Sequence, residues 1–247
     1  MKYKITGDNL QVVTLELSAG EKVYGEAGSM VYMSSNIAME AKMRGGFLKA
    51  IGRKFAGETM FLTEFSPTGG EGLVAFGGNA PGTIKPIEVG ASREFIVQKD
   101  AFLCAEDTVE LSVAFQQRLG SAFFGGEGFI LERLSGEGTV FIHACGDFIE
   151  FDLESGESLK VDTGCVVGWD ATVSYDIERV KGIKTMFFGG EGIFLTTIRG
   201  PGRVLIQSLT LPNLASALVP FLPQSRSGQT SGSSGVLGTL LDETIGR

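Results

Sequence analysis

The sequence predicts an all-β protein of three tandem copies of one strand unit, set with pseudo-threefold symmetry and followed by a short C-terminal tail. Three observations carry that expectation. Three stretches nearly repeat one another, Phe55 to Leu62, Phe124 to Leu131 and Phe188 to Leu195. Each opens an apolar run that reaches a Gly-x-Gly pair (Gly70/Gly72, Gly136/Gly138, Gly200/Gly202), and a second apolar run follows. An upstream block echoes as well: Leu17-Ser18-Ala19-Gly20-Glu21 matches Leu153-Glu154-Ser155-Gly156-Glu157, and the same offset sets Gly28 on Gly164, Val31 on Val167 and Ile37 on Val173. In the middle copy, Val97, Leu103, Thr108 and Val109 align with Val161, Val167, Thr172 and Val173. Finally, 36 glycines with 7 prolines and no collagen period read as turn punctuation between strands. Self-similarity of this kind marks a supersecondary unit that cannot bury its apolar face alone.

In chain order, Val13-Thr14-Leu15-Glu16-Leu17 alternates apolar and polar residues, the period of a half-buried strand. Ser18 to Glu21 turns the chain, Lys22-Val23-Tyr24 resumes it, and Gly28 marks a further turn. Met30-Val31 and the alternating Ile37, Met39, Ala41 and Met43 continue the sheet. The copies are placed at about residues 10–80, 81–145 and 146–211, forming a single domain over 1–211. Beyond it, residues 212–247 form a Pro/Ser/Gly-rich tail.

A connector joins the two blocks of each copy: Ala41 to Lys54, Ser112 to Phe123 and Asp176 to Phe187. The first is the best candidate for a working surface. On a helical wheel Phe47, Leu48, Ile51 and Phe55 share an apolar arc, and Lys49, Arg53 and Lys54 supply the basic face. Such a segment lies in a membrane interface or docks on a partner, or else serves as a lid over the β core with its lysines directed outward. Glu58, Glu127 and Glu191 recur at one position. Around a common axis they could converge as axial carboxylates; the plainer expectation is three solvated turns.

Bulk properties narrow the function. A formal net charge of -8 opposes phosphate backbones and anionic lipid, so nucleic acid is not expected as a partner. Cys104, Cys145 and Cys165 form no C-x-x-C pair and read as small buried residues in a reducing compartment. His143, the single histidine, continues the apolar run Val140-Phe141-Ile142 and reads as a hydrogen-bonded core residue. No spacing of metal ligands and no nucleophile elbow is visible, so neither catalysis nor a metal or other cofactor is expected. Without a signal peptide or about eighteen consecutive apolar residues, the expected location is the cytoplasm, with peripheral membrane contact through the first connector.

The Phe-x-Gly-Gly-Glu-Gly hairpins, the run Phe61-Leu62-Thr63-Glu64-Phe65 and the closing Gly200-Pro201-Gly202-Arg203-Val204-Leu205-Ile206-Gln207-Ser208-Leu209 resemble the altered-inheritance-of-mitochondria family, formerly a domain of unknown function. The likeness covers about residues 1–215. It implies three repeats, each like a subunit of the tryptophan RNA-binding attenuation protein, a short double-stranded β-helix or sandwich. It also implies soluble cytoplasmic proteins in prokaryotes and a fungal relative tied to mitochondrial inner-membrane organisation. The family has no agreed catalytic residues, so none is carried over, and the lack of a targeting segment points to a bacterial or archaeal member. The expected function is a non-enzymatic scaffold or interaction protein that forms homo-oligomers and touches a membrane surface or membrane-bound partner. A small-molecule-binding module is the alternative, and RNA binding follows only by analogy of fold.

Overall fold

The turn chemistry anticipated at Leu17 to Glu21 is present twice, built alike. Ser18 N–H donates to Glu21 Oε2 at 2.8 Å and Glu154 N–H to Glu157 Oε2 at 2.7 Å. Gly20 and Gly156 take φ of 89° and 91°, where a Cβ would strain the backbone. These observations come from a computed structural model that describes residues 1–43, 61–117, 128–180 and 194–221.

The first strands are β1 (Lys2–Thr6), β2 (Val12–Leu17), β3 (Val23–Gly25), β4 (Met30–Met33), β5 (Ile37–Met43), β6 (Phe61–Pro67) and β7 (Gly72–Gly77). Next come β8 (Gly82–Val89), β9 (Phe95–Gln98), β10 (Phe102–Glu106), β11 (Val109–Gln117), β12 (Phe129–Gly136) and β13 (Gly138–Cys145). The last are β14 (Phe148–Leu153), β15 (Ser158–Asp162), β16 (Val166–Asp170), β17 (Ser174–Arg179), β18 (Phe194–Arg199) and β19 (Gly202–Gln207). They form four sheets, ordered β1-β2-β7-β4, β5-β6-β3-β10-β13-β8, β11-β12-β9-β16-β19-β14 and β15-β18-β17. Every pairing between these strands is antiparallel. The architecture is therefore all-β.

Burial follows each strand's place in its sheet. β13, flanked by β10 and β8, is buried continuously from Val140 to Cys145, as a strand covered on both faces must be. At a sheet edge, β14 has only exposed and half-buried residues. β1 was not anticipated, because Lys2-Tyr3-Lys4 carries charge where a core strand would carry aliphatics. It is an exposed edge strand, registered Tyr3 to Leu15 on β2.

Three apolar clusters fill the interior. Val13, Leu15, Leu17, Phe65, Val74 and Phe76 gather with Leu103, Cys104 and Phe141. Tyr24, Val97, Phe102, Leu134, Val140, Ile142 and Leu205 form a second cluster. Trp169, fully buried, packs with Ile96, Phe129, Leu131, Val161 and Ile198 in the third. Each such side chain contributes roughly 1.5–3 kcal/mol by leaving water.

Two compact units are separable, Met1–Leu214 and Ala215–Arg247, and the nineteen strands among the described residues all lie in the first. A short helix, α1 (Leu211–Leu218), follows β19, at the start of what the sequence predicts to be a Pro/Ser/Gly-rich tail. Its start was legible: Asn213 N–H donates to Thr210 Oγ1 at 3.2 Å, and Pro212 sits in the first turn, where its missing N–H is harmless. Among the described residues, no helix is long and apolar enough to cross a membrane.

Candidate interaction surface

The connectors singled out by sequence link hairpins whose paired parts are well defined. β5 ends at Met43 against Phe61 of β6, β11 ends at Gln117 against Phe129 of β12, and β17 ends at Arg179 against Phe194 of β18. Phe47, Leu48, Lys49, Ile51, Arg53 and Lys54 lie outside the described residues, as do Glu58, Glu127 and Glu191.

Of the sheet edges among the described residues, those at β4 and β15 differ from their counterparts elsewhere in the chain. β4, β10 and β16 share one irregularity. Met30 pairs with Phe76 and, after a slip, Tyr32 with Ala75. Phe102 pairs with Ile142 and then Cys104 with Phe141, and Val166 pairs with Ile206 and then Gly168 with Leu205. A bulge of this kind bends and re-aims a strand, so its recurrence makes the three strands local equivalents. Their other edges differ. β10 receives β3, with Cys104 opposite Gly25 and Ala105 opposite Tyr24, and β16 receives β9, with Gly168 opposite Val97 and Trp169 opposite Ile96. Among the described residues no strand pairs with the outer edge of β4. Likewise β15 pairs only with β18, whereas β3 and β9 each have strands on both sides.

Exposure follows from this. Leu103 and Cys104 of β10 are 3% and 0% exposed and Val167 of β16 is 0%, while Val31 and Tyr32 of β4 are 55% and 47% exposed. The Tyr32 hydroxyl shares a hydrogen bond of 2.7 Å with the Thr14 hydroxyl on the same sheet face. An exposed apolar edge strand is a template for another strand.

Of the histidine and the three cysteines, His143, Cys104 and Cys145 are buried and Cys165 is half-buried. His143 is buried, hydrogen-bonded to the Ala80 backbone, and its pKa is lowered chiefly by desolvation. A Cβ on Gly78 would lie 2.3 Å from its Nε2. Burial raises the pKa of all three cysteines, Cys165 to about 11 with Asp162 adding to the effect, so none is a thiolate at neutral pH. Among the described residues no group of three or more His, Cys, Asp or Glu could hold a metal ion.

One polar group was missed. Glu132 on β12 sits opposite Val97 and Val113, fully buried, and neither carboxylate oxygen has a hydrogen-bond partner. Burial pushes its pKa up to about 8; Lys99 opposes that shift, and Glu26 and Asp100 add to it. The register puts Thr63 opposite Gly25 and Thr196 opposite Val161, as it puts Glu132 opposite Val97. Thr196 solves its burial with a hydroxyl contact of 3.0 Å to Thr163. The signal lay in Phe129-Ile130-Leu131-Glu132, a carboxylate ending an apolar run.

Antiparallel sheets, buried apolar clusters and an exposed apolar edge at β4 characterise an all-β protein. The chain belongs to the family described as Mitochondrial biogenesis AIM24, matching it over residues 3–209. It is 32% identical to an uncharacterized protein of Streptococcus pyogenes serotype M6 over 222 residues, 87% of this chain and 88% of the relative. It is also similar to an X-ray crystal structure of a Streptococcus pyogenes protein, with TM-score 0.72 and 29% identity, covering 90% of this chain and 99% of that one.

Proposed function

We propose that this chain is a non-enzymatic interaction scaffold, cytoplasmic and peripheral to a membrane, whose three tandem β units surround a pseudo-threefold axis like subunits of the tryptophan RNA-binding attenuation protein. The observation that carries the scaffold reading is β4, which offers Val31 and Tyr32 to solvent where β10 and β16 bury Leu103, Cys104 and Val167. The repeat draws support from shared hydrogen bonds. Leu73 N–H donates to Ser34 Oγ, Thr139 N–H to Glu106 Oε2 and Arg203 N–H to Asp170 Oδ2, at 2.8, 2.7 and 3.0 Å. Support for an axis comes from the parallel bridges that run from Leu10 to Gly82 and from Gly82 to Gly146, at the starts of the three units.

Membrane contact through the first connector is tested by co-sedimentation with anionic liposomes. Wild type pellets, and Lys49→Glu/Arg53→Glu/Lys54→Glu stays in solution. Capture from host lysate and mass measurement complete the test. A wild type that binds no lipid, captures nothing and remains a single chain ends the scaffold reading. Glu132 favours a second reading, a small-molecule module for cationic ligands, because an unpartnered buried carboxylate gains a counter-charge on binding. That reading requires a thermal shift with cationic metabolites, larger above pH 8 than below it.

A further inference from the structure

We infer that the outer edge of β14 is a docking site for an extended, basic segment of a partner protein, one with lysine or arginine at alternate positions. This deepens the scaffold reading and rests on it.

Three strands hold one place in the chain's repeated pattern. Thr14 of β2 faces Ala75, Pro86 of β8 faces Phe141 and Glu150 of β14 faces Leu205, each time the third residue after a hairpin glycine, Gly72, Gly138 or Gly202. Along an antiparallel strand the backbone groups alternate, one residue bonding to a given neighbour and the next turning its N–H and C=O the other way. On β14 the Ser208 N–H donates to the Asp147 carbonyl at 3.0 Å. Asp147, Ile149 and Phe151 therefore bond toward β19, and Phe148, Glu150 and Asp152 turn their backbone groups outward.

An outward row of this kind attracts other strands, and the three rows are managed differently. On β2 the row is Val12, Thr14 and Glu16, covered by Thr6, Lys4 and Lys2 of β1. On β8 the Ile84 N–H already donates to Gln11 Oε1 at 2.6 Å, and Pro86 has no N–H to offer. β14 is the last strand of its sheet, and among the described residues no strand pairs with its outer edge. Glu150 stands where β8 has Pro86, so this row keeps its donor.

Charge selects the occupant. The β1–β2 seam sets Lys2 opposite Glu16 and Lys4 opposite Thr14, while Tyr3 meets Phe141 edge-on with ring centroids 4.9 Å apart. The offset that matches Leu17 with Leu153 puts Glu150 in the place of Thr14 and Asp152 in that of Glu16. Asp147, Glu150 and Asp152 are exposed, and Ile149 is 42% exposed. Lys85 pairs with Glu150, and Arg203, opposite Asp152, forms a long ion pair with Asp170 at 3.9 Å, so the edge keeps a negative excess. These carboxylates repel a second β14. The strand that fits carries basic residues opposite Glu150 and Asp152 and apolar ones opposite Ile149 and Phe151. Main-chain bonds supply its affinity and the alternate side chains its selectivity.

The test uses the full chain and a labelled peptide with the pattern Lys-Tyr-Lys-Ile-Thr between Gly-Ser flanks, followed by fluorescence anisotropy. A control peptide has glutamate in place of both lysines. Wild type is expected to bind the lysine peptide, more weakly as salt rises, and not the control. Glu150→Pro copies the device of β8 and leaves the bonds to β19 in place; it is expected to weaken binding about tenfold or more with an unchanged thermal melt. Glu150→Lys/Asp152→Lys reverses the preference, so that the control peptide binds, a result that does not depend on how the proline is tolerated. A wild type that binds neither peptide overturns the inference. So does a lysine peptide held equally well by Glu150→Pro, which is attraction to an acidic chain at large. A wild type that is larger than one chain by light scattering, and returns to one chain in Glu150→Pro, identifies a second copy as the occupant and overturns the assignment of a basic partner. Each of these outcomes leaves capture from lysate, and with it the scaffold reading, untouched.

Discussion

Replacing Glu132 with Gln removes a charge from the β core while keeping its shape, and the consequence is a changed dependence of stability on pH. The carboxyl moves from 4.5 to about 8 on folding, so the native state holds its proton more tightly than the unfolded chain. Below about pH 4.5 the group is neutral in both states and neither gains nor loses. Between 4.5 and about 8 the unfolded chain releases the proton and the native chain keeps it, so native stability falls as pH rises. Above about 8 the penalty is complete. At about 1.36 kcal/mol per unit, a shift of about 3.5 units corresponds to at most about 5 kcal/mol. The Gln amide is also buried without partners, but that penalty does not vary with pH. The quantity to follow is therefore the difference in unfolding free energy between Glu132→Gln and wild type, which rises by up to about 5 kcal/mol between pH 4.5 and 8.5. Chemical denaturation followed through Trp169, buried and the one tryptophan of the chain, supplies both curves. A difference that stays flat across this window means that Glu132 is solvated or paired in the native state, and the argument from burial is wrong.

Two further substitutions test the packing. Gly82→Ala puts a methyl 1.9 Å from the Ala144 carbonyl oxygen and 2.6 Å from His143 Nε2, and is expected to destabilise by about 3 kcal/mol or more; an unchanged melting temperature would contradict that close approach. Tyr24→Phe removes a buried hydroxyl that donates to the Val109 carbonyl at 3.0 Å, with an expected loss of about 1–3 kcal/mol in denaturant unfolding.

Much of the secondary structure was legible because short-range rules govern it. The alternation in Val13 to Leu17 gives β2, and the Gly-x-Gly pairs at Gly136/Gly138 and Gly200/Gly202 separate β12 from β13 and β18 from β19. The echo of Leu17 to Glu21 in Leu153 to Glu157 is one turn made twice, with the same side-chain cap. The family, too, could be read from the hairpin motifs and the closing strand.

The candidate surface was less accessible, because whether a strand is interior or at an edge depends on which other strand reaches it. Met30-Val31-Tyr32-Met33 reads as apolar a strand as Phe102 to Glu106, yet β3 covers one and no described strand covers the outer edge of the other. Charge in a strand is equally ambiguous: Glu16 is exposed and Glu132 is buried, though both sit among aliphatics. Periodicity and turn residues act over a few positions, so the chain alone determined that it would be strands and where most of them would turn. Edges, seams and the buried carboxylate arise from pairings between residues distant in the chain, such as Tyr24 with Ala105 and Val97 with Glu132, and only the assembled sheets decided those.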